Sequence, residues 1–180
     1  MRQRRIAYTY MNKMEIIKHN IAKVVVNSGI GRLSQNPNFN DKVLPEVVAE
    51  FSVITGQKPA LRAARESIAG FKIREGNIVG LMATLRGNRM ADFFQKIISV
   101  VLPRVRDFRG VPVKAVDGNG NLTIGIKENT VFPEISAEQS KVNFGLQLTV
   151  VPKVQNRETA VELYKTIGVP FAKEAVKKTR

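Results

Sequence analysis

Between Lys58 and Lys114 twelve Lys and Arg face four acids, a local net charge of +8 within a chain of +14. Inside that block runs Ser67-Ile68-Ala69-Gly70-Phe71-Lys72-Ile73-Arg74-Glu75-Gly76, followed by Thr84-Leu85-Arg86-Gly87. Cations alternate there with glycines, small residues and one aromatic. On a glycine-bearing loop each cation can find a phosphate, and glycine lets the backbone approach closely, which suits an irregular polyanion. A charge run alone is usually a solvated face. Here both flanks are basic too, and the reading moves to nucleic acid.

Other chemistries find little support. The chain has no cysteine, which removes disulfides, thiolate metal sites and thiol catalysis and fits a reducing compartment. His19 is the only histidine, so imidazole metal clusters and nucleophile–His pairs are excluded; a surface helix turn or an RNA-side position suits it. The Gly-x-x-x-x-Gly-Lys-Ser/Thr phosphate loop is absent, and Gly29-Ile30-Gly31 lacks the third glycine of a dinucleotide fingerprint. Asp117, Asn119, Asn121 and Glu128 follow calcium-loop spacing, but Leu122 stands where that loop needs glycine, so calcium is rejected. The carboxylates Asp92, Asp107, Asp117 and Glu134 are scattered, with no pair set up for acid–base work. Arg104, Arg106 and Arg109 flank Phe108; each could grip phosphate or pair with Asp107, and as a set they read as an interaction surface. No cofactor and no metal are expected.

The elements that must position these residues read as one α+β domain. At 180 residues one core is the prior. No apolar run reaches the roughly 18 residues needed to span a bilayer, so no membrane partner is expected. The Arg-rich start, Met1 to Arg5, resembles a transit peptide but is more simply a basic arm for RNA. Met11 and Met14 fit a short helix. Ile21–Ile30 predicts a strand, and Leu44, Val47, Val48, Phe51 and Ile54 predict a helix from Asp41, with Pro45 in its first turn and Gly56 as C-terminal cap. Ala60–Arg65 and Ile78–Leu85 predict two strands around the glycine-bearing loop. A helix follows, capped by Asn88 and stopped by Pro103. Asp117-Gly118-Asn119-Gly120-Asn121 is a turn before strand Leu122–Ile126. Leu146, Leu148 and Val150 alternate with Gln147 and Thr149 as a half-buried strand. Asn156 caps a last helix closed by Gly168. The sum is a two-layer sandwich, mainly antiparallel, with helices on one sheet face and the other left polar.

Five motifs occur in register: Thr55-Gly56-Gln57-Lys58-Pro59, Ser67–Gly76, Thr84–Gly87, Leu102-Pro103-Arg104-Val105-Arg106-Asp107-Phe108-Arg109-Gly110, and Phe132-Pro133-Glu134-Ile135. Together they make the chain, from about Lys23 to Phe171, resemble the bacterial large-subunit ribosomal protein five family. The resemblance implies a structural constituent of the large subunit, cytoplasmic with the ribosome or in an organelle ribosome, and not an enzyme. Its implied partners are 5S rRNA, large-subunit rRNA, P-site tRNA, a small-subunit head protein and neighbouring proteins of the central protuberance. The implied 5S contacts are Asn27, Gln57 and Thr84 on the polar sheet face, with Arg32, Lys58, Arg62 and Arg86 among them to neutralise phosphate. Residues 65–80 match the tRNA-contacting loop, with Arg65, Lys72 and Arg74 as contacts. Arg109, Val111, Lys114, Glu134 and Lys141 match the intersubunit bridge. Residues 1–20 form a basic segment shorter than the family's usual N-terminal helical part, and 172–180 a basic tail. The rival readings are an RNA-modifying enzyme with an unseen active site and an electrostatic DNA-binding module.

Overall fold

The alternation of β-branched and polar residues at the start of the chain becomes β1 (Ile21–Gly29), preceded by helical residues 13–20, α1. The chain then forms α2 (Leu44–Thr55), β2 (Ala60–Ala63), β3 (Ile78–Leu85), α3 (Gly87–Lys96), β4 (Leu122–Ile126), β5 (Leu146–Pro152) and α4 (Arg157–Ile167). These come from a computed structural model that describes residues 13–35, 38–136, 138, 140 and 142–172. The strands make one five-stranded sheet in the order β2-β3-β1-β5-β4, the α+β sandwich that the sequence predicts. The basic N-terminal segment falls largely, and the tail beyond Ala172 wholly, outside the described residues. His19 is exposed on α1.

The chain divides into two compact units. The first holds, among the described residues, 13–23, 86–124 and 149–172. Its core combines Ile17, Met90, Phe93, Phe94, Ile97, Leu122, Ala160, Tyr164 and Ile167, all essentially buried. Burial of each Ile, Leu, Met or Phe among them contributes roughly 1.5–3 kcal/mol. The Asp117 turn forms as predicted: its carboxylate accepts from the Asn121 amide at 2.7 Å and from Asn121 Nδ2 at 2.8 Å. The Asn121 side-chain bond is the main cause of an Asp117 pKa below the ordinary value. Gly120 sits at φ +84 in this turn, and a Cβ there would lie 2.8 Å from that of Ala160. The Tyr164 hydroxyl donates to the Gly120 carbonyl at 2.9 Å, with the Val150 carbonyl at 3.3 Å, and burial pushes its pKa up. Asn156 caps α4 by accepting from the Glu158 amide, and Gly168 closes it at φ +98.

Two expectations fail in this unit. Asn88 does not cap α3, because the helix starts at Gly87 and the extended residue before it is Arg86. Nor does Pro103 stop the helix. A wide turn over Ile97–Val101 widens the ladder, and a last turn, Leu102–Arg104, carries Pro103 near its start. Proline lacks only an amide hydrogen and needs room for its ring, and a widened turn relaxes that demand.

The second unit holds residues 24–85 and 125–148. Here α2 buries Leu44, Val47, Phe51 and Ile54, and β1 and β3 bury Val24, Val26, Leu81, Ala83 and Leu85. A wide turn over Phe39–Val43 precedes the α-helix, which therefore starts at Leu44 rather than Asp41, with Pro45 in its first turn. Gly56 ends it at φ +67, as its position after the last apolar residue predicts. β2 ends at Ala63, short of the expected Arg65; its register shifts between Arg62 and Ala63, and Ala63 pairs with Ile78.

Candidate nucleic-acid interface

Side chains alternate across a strand, so register decides which polar residues share a face. Val24, Val26 and Ser28 of β1 are buried, which sends Val25 and Asn27 the other way. β3 runs antiparallel to β1, with Val25 opposite Thr84 and Asn27 opposite Met82. Thr84 and Asn27 are thus diagonal neighbours on one face, about 7–8 Å apart for such pairs. β2 adds Ala60 opposite Met82 and Arg62 opposite Gly80, so Arg62 joins the same face. Its Nη2 lies 3.5 Å from Met82 Sδ, which holds the guanidinium over the sheet. Gln147 of β5 is exposed between buried Leu146 and Leu148 and continues the polar side.

The other predicted 5S contacts lie off the strands. Gln57, half-buried, and Lys58, exposed, sit on the connection between α2 and β2. The Thr55 hydroxyl fixes that connection, its single hydrogen shared between the Phe51 and Gln57 carbonyls at 2.8 and 2.9 Å. Arg32 is exposed just past β1, and Arg86 is exposed in extended backbone before α3.

The Arg65–Gly80 segment is a folded loop. Ile68 and Ile73 pair as an isolated antiparallel bridge around a short turn over Ala69–Phe71, with Lys72 in the left-handed region at φ +54. The Glu75 amide donates to Ser67 Oγ at 2.9 Å, and Gln35 Nε2 donates to the Phe71 carbonyl at 3.0 Å. Arg65, Lys72 and Arg74 are all exposed on it. The loop thus presents three cations from a backbone with bonds of its own.

The predicted bridge residues are a mixed set. Arg109 and Lys114 are exposed in the first unit, and Glu134 is exposed in the second. Val111 is buried, 4 % exposed, with its amide bonded to the Pro170 carbonyl at 2.8 Å and its carbonyl to the Ala172 amide at 2.9 Å. Its side chain offers no contact surface; apolar bulk and two main-chain bonds seat it in the fold. Lys141 lies outside the described residues. Arg104 and Arg106 are exposed and Phe108 is half-buried.

Sequence reasoning missed the polar cluster at Asn129, which is fully buried and donates to Glu50 Oε2 at 2.7 Å. It missed also the Gly29–Gly80 pair, which leaves bare backbone on the polar side of the sheet. A polar residue three places after buried Ile126 was the available signal for the first; the second needs register. Among the described residues no group of three or more His, Asp or Glu could hold a metal ion, and no helix is long and apolar enough to cross a membrane.

Comparison with known proteins gives the context. Residues 12–74 match the family model for ribosomal protein L5, and residues 78–171 match the model for the C-terminus of the same ribosomal family. The chain is 48% identical to the large ribosomal subunit protein uL5 of Syntrophomonas wolfei over 91% of its length and 89% of the relative's. It is 45% identical to that of Halothermothrix orenii, covering 91% and 88%, and 42% identical to that of Carboxydothermus hydrogenoformans, covering 92% and 89%. Similarity of that extent leaves one conclusion: the chain belongs to the ribosomal protein L5 family, a structural and non-enzymatic component of the large ribosomal subunit.

Proposed function

We propose that this chain holds 5S rRNA against the open face of its sheet and so ties it to the large-subunit rRNA in the central protuberance. The observation that supports this most is the register that puts Asn27, Thr84 and Arg62 on one face. Short neutral donors and acceptors suit the 2′-hydroxyls and base edges of RNA, and Arg62 suits its backbone. Lys58, Arg32, Arg86 and Gln57 extend that surface from the adjoining connections. Membership of a family of bacterial ribosomal proteins puts it in the cytoplasm with the ribosome.

Two further contacts complete the reading. The loop with Arg65, Lys72 and Arg74 touches P-site tRNA through phosphate-type contacts. Arg109, Lys114 and Glu134, with Lys141, meet a small-subunit head protein, while Val111 shapes the backbone from beneath. The test is 5S rRNA affinity of Asn27→Ala, Gln57→Ala and Thr84→Ala. Each should weaken binding by about 1–3 kcal/mol, the scale of a lost hydrogen bond and a stranded partner. Unchanged affinity in all three, or equal affinity of the wild type for random duplex DNA, sinks the proposal.

A further inference from the structure

Beside the Gly29 end of the open face lies a cleft of about 570 Å³. That falls within the roughly 300–1,000 Å³ usual for small-molecule sites. Gly29, Arg32, Gln35, Phe71 and Asn143 are among its lining residues, all of them in the second unit.

The chemistry of that lining is unusual for an idle surface hollow. Gly29 stands opposite Gly80 in the ladder, and a Cβ on Gly29 would meet no atom within 4 Å. Bare strand backbone thus borders the cleft, and glycine permits the closest approach of a flat group. Phe71 is 64% exposed, the most exposed large apolar side chain among the described residues. A lone exposed phenylalanine needs no ligand. This one, however, sits on a turn closed by the Ile68–Ile73 bridge, and its carbonyl is tied to Gln35 at 3.0 Å. Its backbone is therefore held at the cleft, so stacking on its ring would cost little ordering. Asn143 and Gln35 are exposed amides and Arg32 an exposed cation.

We propose that the cleft takes one unstacked base of the RNA that lies on the open sheet face. Phe71 supplies the stacking surface, the Asn143 and Gln35 amides contact the base edge, and Arg32 grips a flanking phosphate. Sequence-specific RNA recognition characteristically splays bases out of the stack onto aromatic rings and arginine planes. Charge complementarity favours RNA over a protein side chain, because Arg32 lines the cleft and Arg62 stands opposite Gly80 on the adjoining face. The inference rests on the RNA-binding reading above.

The test uses the full chain and 5S rRNA carrying 2-aminopurine at one unpaired position at a time. One position should change fluorescence on binding, as its base leaves the neighbouring bases for the Phe71 ring. Phe71→Ala should abolish that signal and weaken binding by roughly 5- to 150-fold, the range for loss of base–aromatic stacking, while Phe71→Trp keeps both. Gly29→Leu fills the cleft from the sheet side and should give the same loss with an unchanged thermal midpoint. If Phe71→Ala and Gly29→Leu bind like wild type while Asn27→Ala and Thr84→Ala do not, the cleft holds no base and the open-face reading survives. If the wild type does not distinguish 5S rRNA from random duplex RNA, both fall. The same signal from labelled tRNA instead of 5S rRNA, or saturation by adenosine monophosphate alone, overturns the assignment of the occupant.

Discussion

Two asparagines of the same unit show what separates a polar residue that builds the fold from one that faces outward. Asn129 is fully buried, and its Nδ2 lies 2.7 Å from Glu50 Oε2 and 3.1 Å from both Ser140 Oγ and the Val142 carbonyl. Ser140 Oγ lies 3.2 Å from the same Glu50 oxygen. The cluster ties the segment after β4 to α2, so its polarity is turned inward. Asn27 is half-buried on a strand whose alternate residues form the core, and its neighbours across the ladder are Met82 and, diagonally, Thr84. The same amide serves a buried network in one place and lies on an open surface in the other. Residue type is uninformative here. Burial and the identity of the neighbours decide.

That contrast predicts different failures. Asn129→Ala should cost about 2–3 kcal/mol of unfolding free energy, because it removes the buried donor shared by the Glu50 carboxylate and the Val142 carbonyl. Urea unfolding checks it, and RNA affinity of the folded fraction should be unchanged. Tyr164→Phe, which removes a buried hydroxyl from the Gly120 and Val150 carbonyls, should cost about 1–2 kcal/mol by the same measurement. Because the Tyr164 pKa is raised, the folded state favours the neutral phenol. Its contribution is full below the unfolded pKa of about 10 and declines as pH rises beyond it. Tyr164→Phe should flatten that alkaline fall.

Outward-facing residues should leave stability alone. Lys72→Ala with Arg74→Ala should weaken retention of P-site tRNA by about 1 kcal/mol and lower its salt dependence, leaving 5S rRNA affinity near wild type. A loss confined to 5S rRNA would move the loop to that partner. The smallest effect belongs to Asp117, whose lowered pKa comes from an exposed turn. Stability from this carboxylate is present above its unfolded value of 3.8 and is lost as pH falls through the lower folded one. Asp117→Asn should shrink the acid limb slightly, and an unchanged acid midpoint would remove the turn from the account.

Much of this was legible in the sequence where structure is local. The Asn156 cap, the Gly56 and Gly168 stops and the Asp117 turn all depend on residues within a few positions of one another. What was not legible depends on distant strands or on how a helix relaxes. The helical path after α3 runs through Pro103 to Arg104 by way of a wide turn over Ile97–Val101. Val111 is buried through a parallel bridge to Phe171, which lies far along the chain. The candidate face was named residue by residue through resemblance, but only the β1–β3 and β2–β3 registers set Asn27, Thr84 and Arg62 on one side of the sheet while Gln57 stays on a connection.

The central claim is that the open face binds 5S rRNA through neutral groups, and one comparison tests it. The affinity of the Asn27→Ala/Thr84→Ala double variant for 5S rRNA should be measured against wild type across a salt series. Its urea midpoint serves as the check on folding. The account predicts at least a tenfold loss, about 1.4 kcal/mol, with an unchanged midpoint. It also predicts an unchanged salt slope, since neutral contacts release no counterions. A folded double variant that binds with wild-type affinity would contradict it.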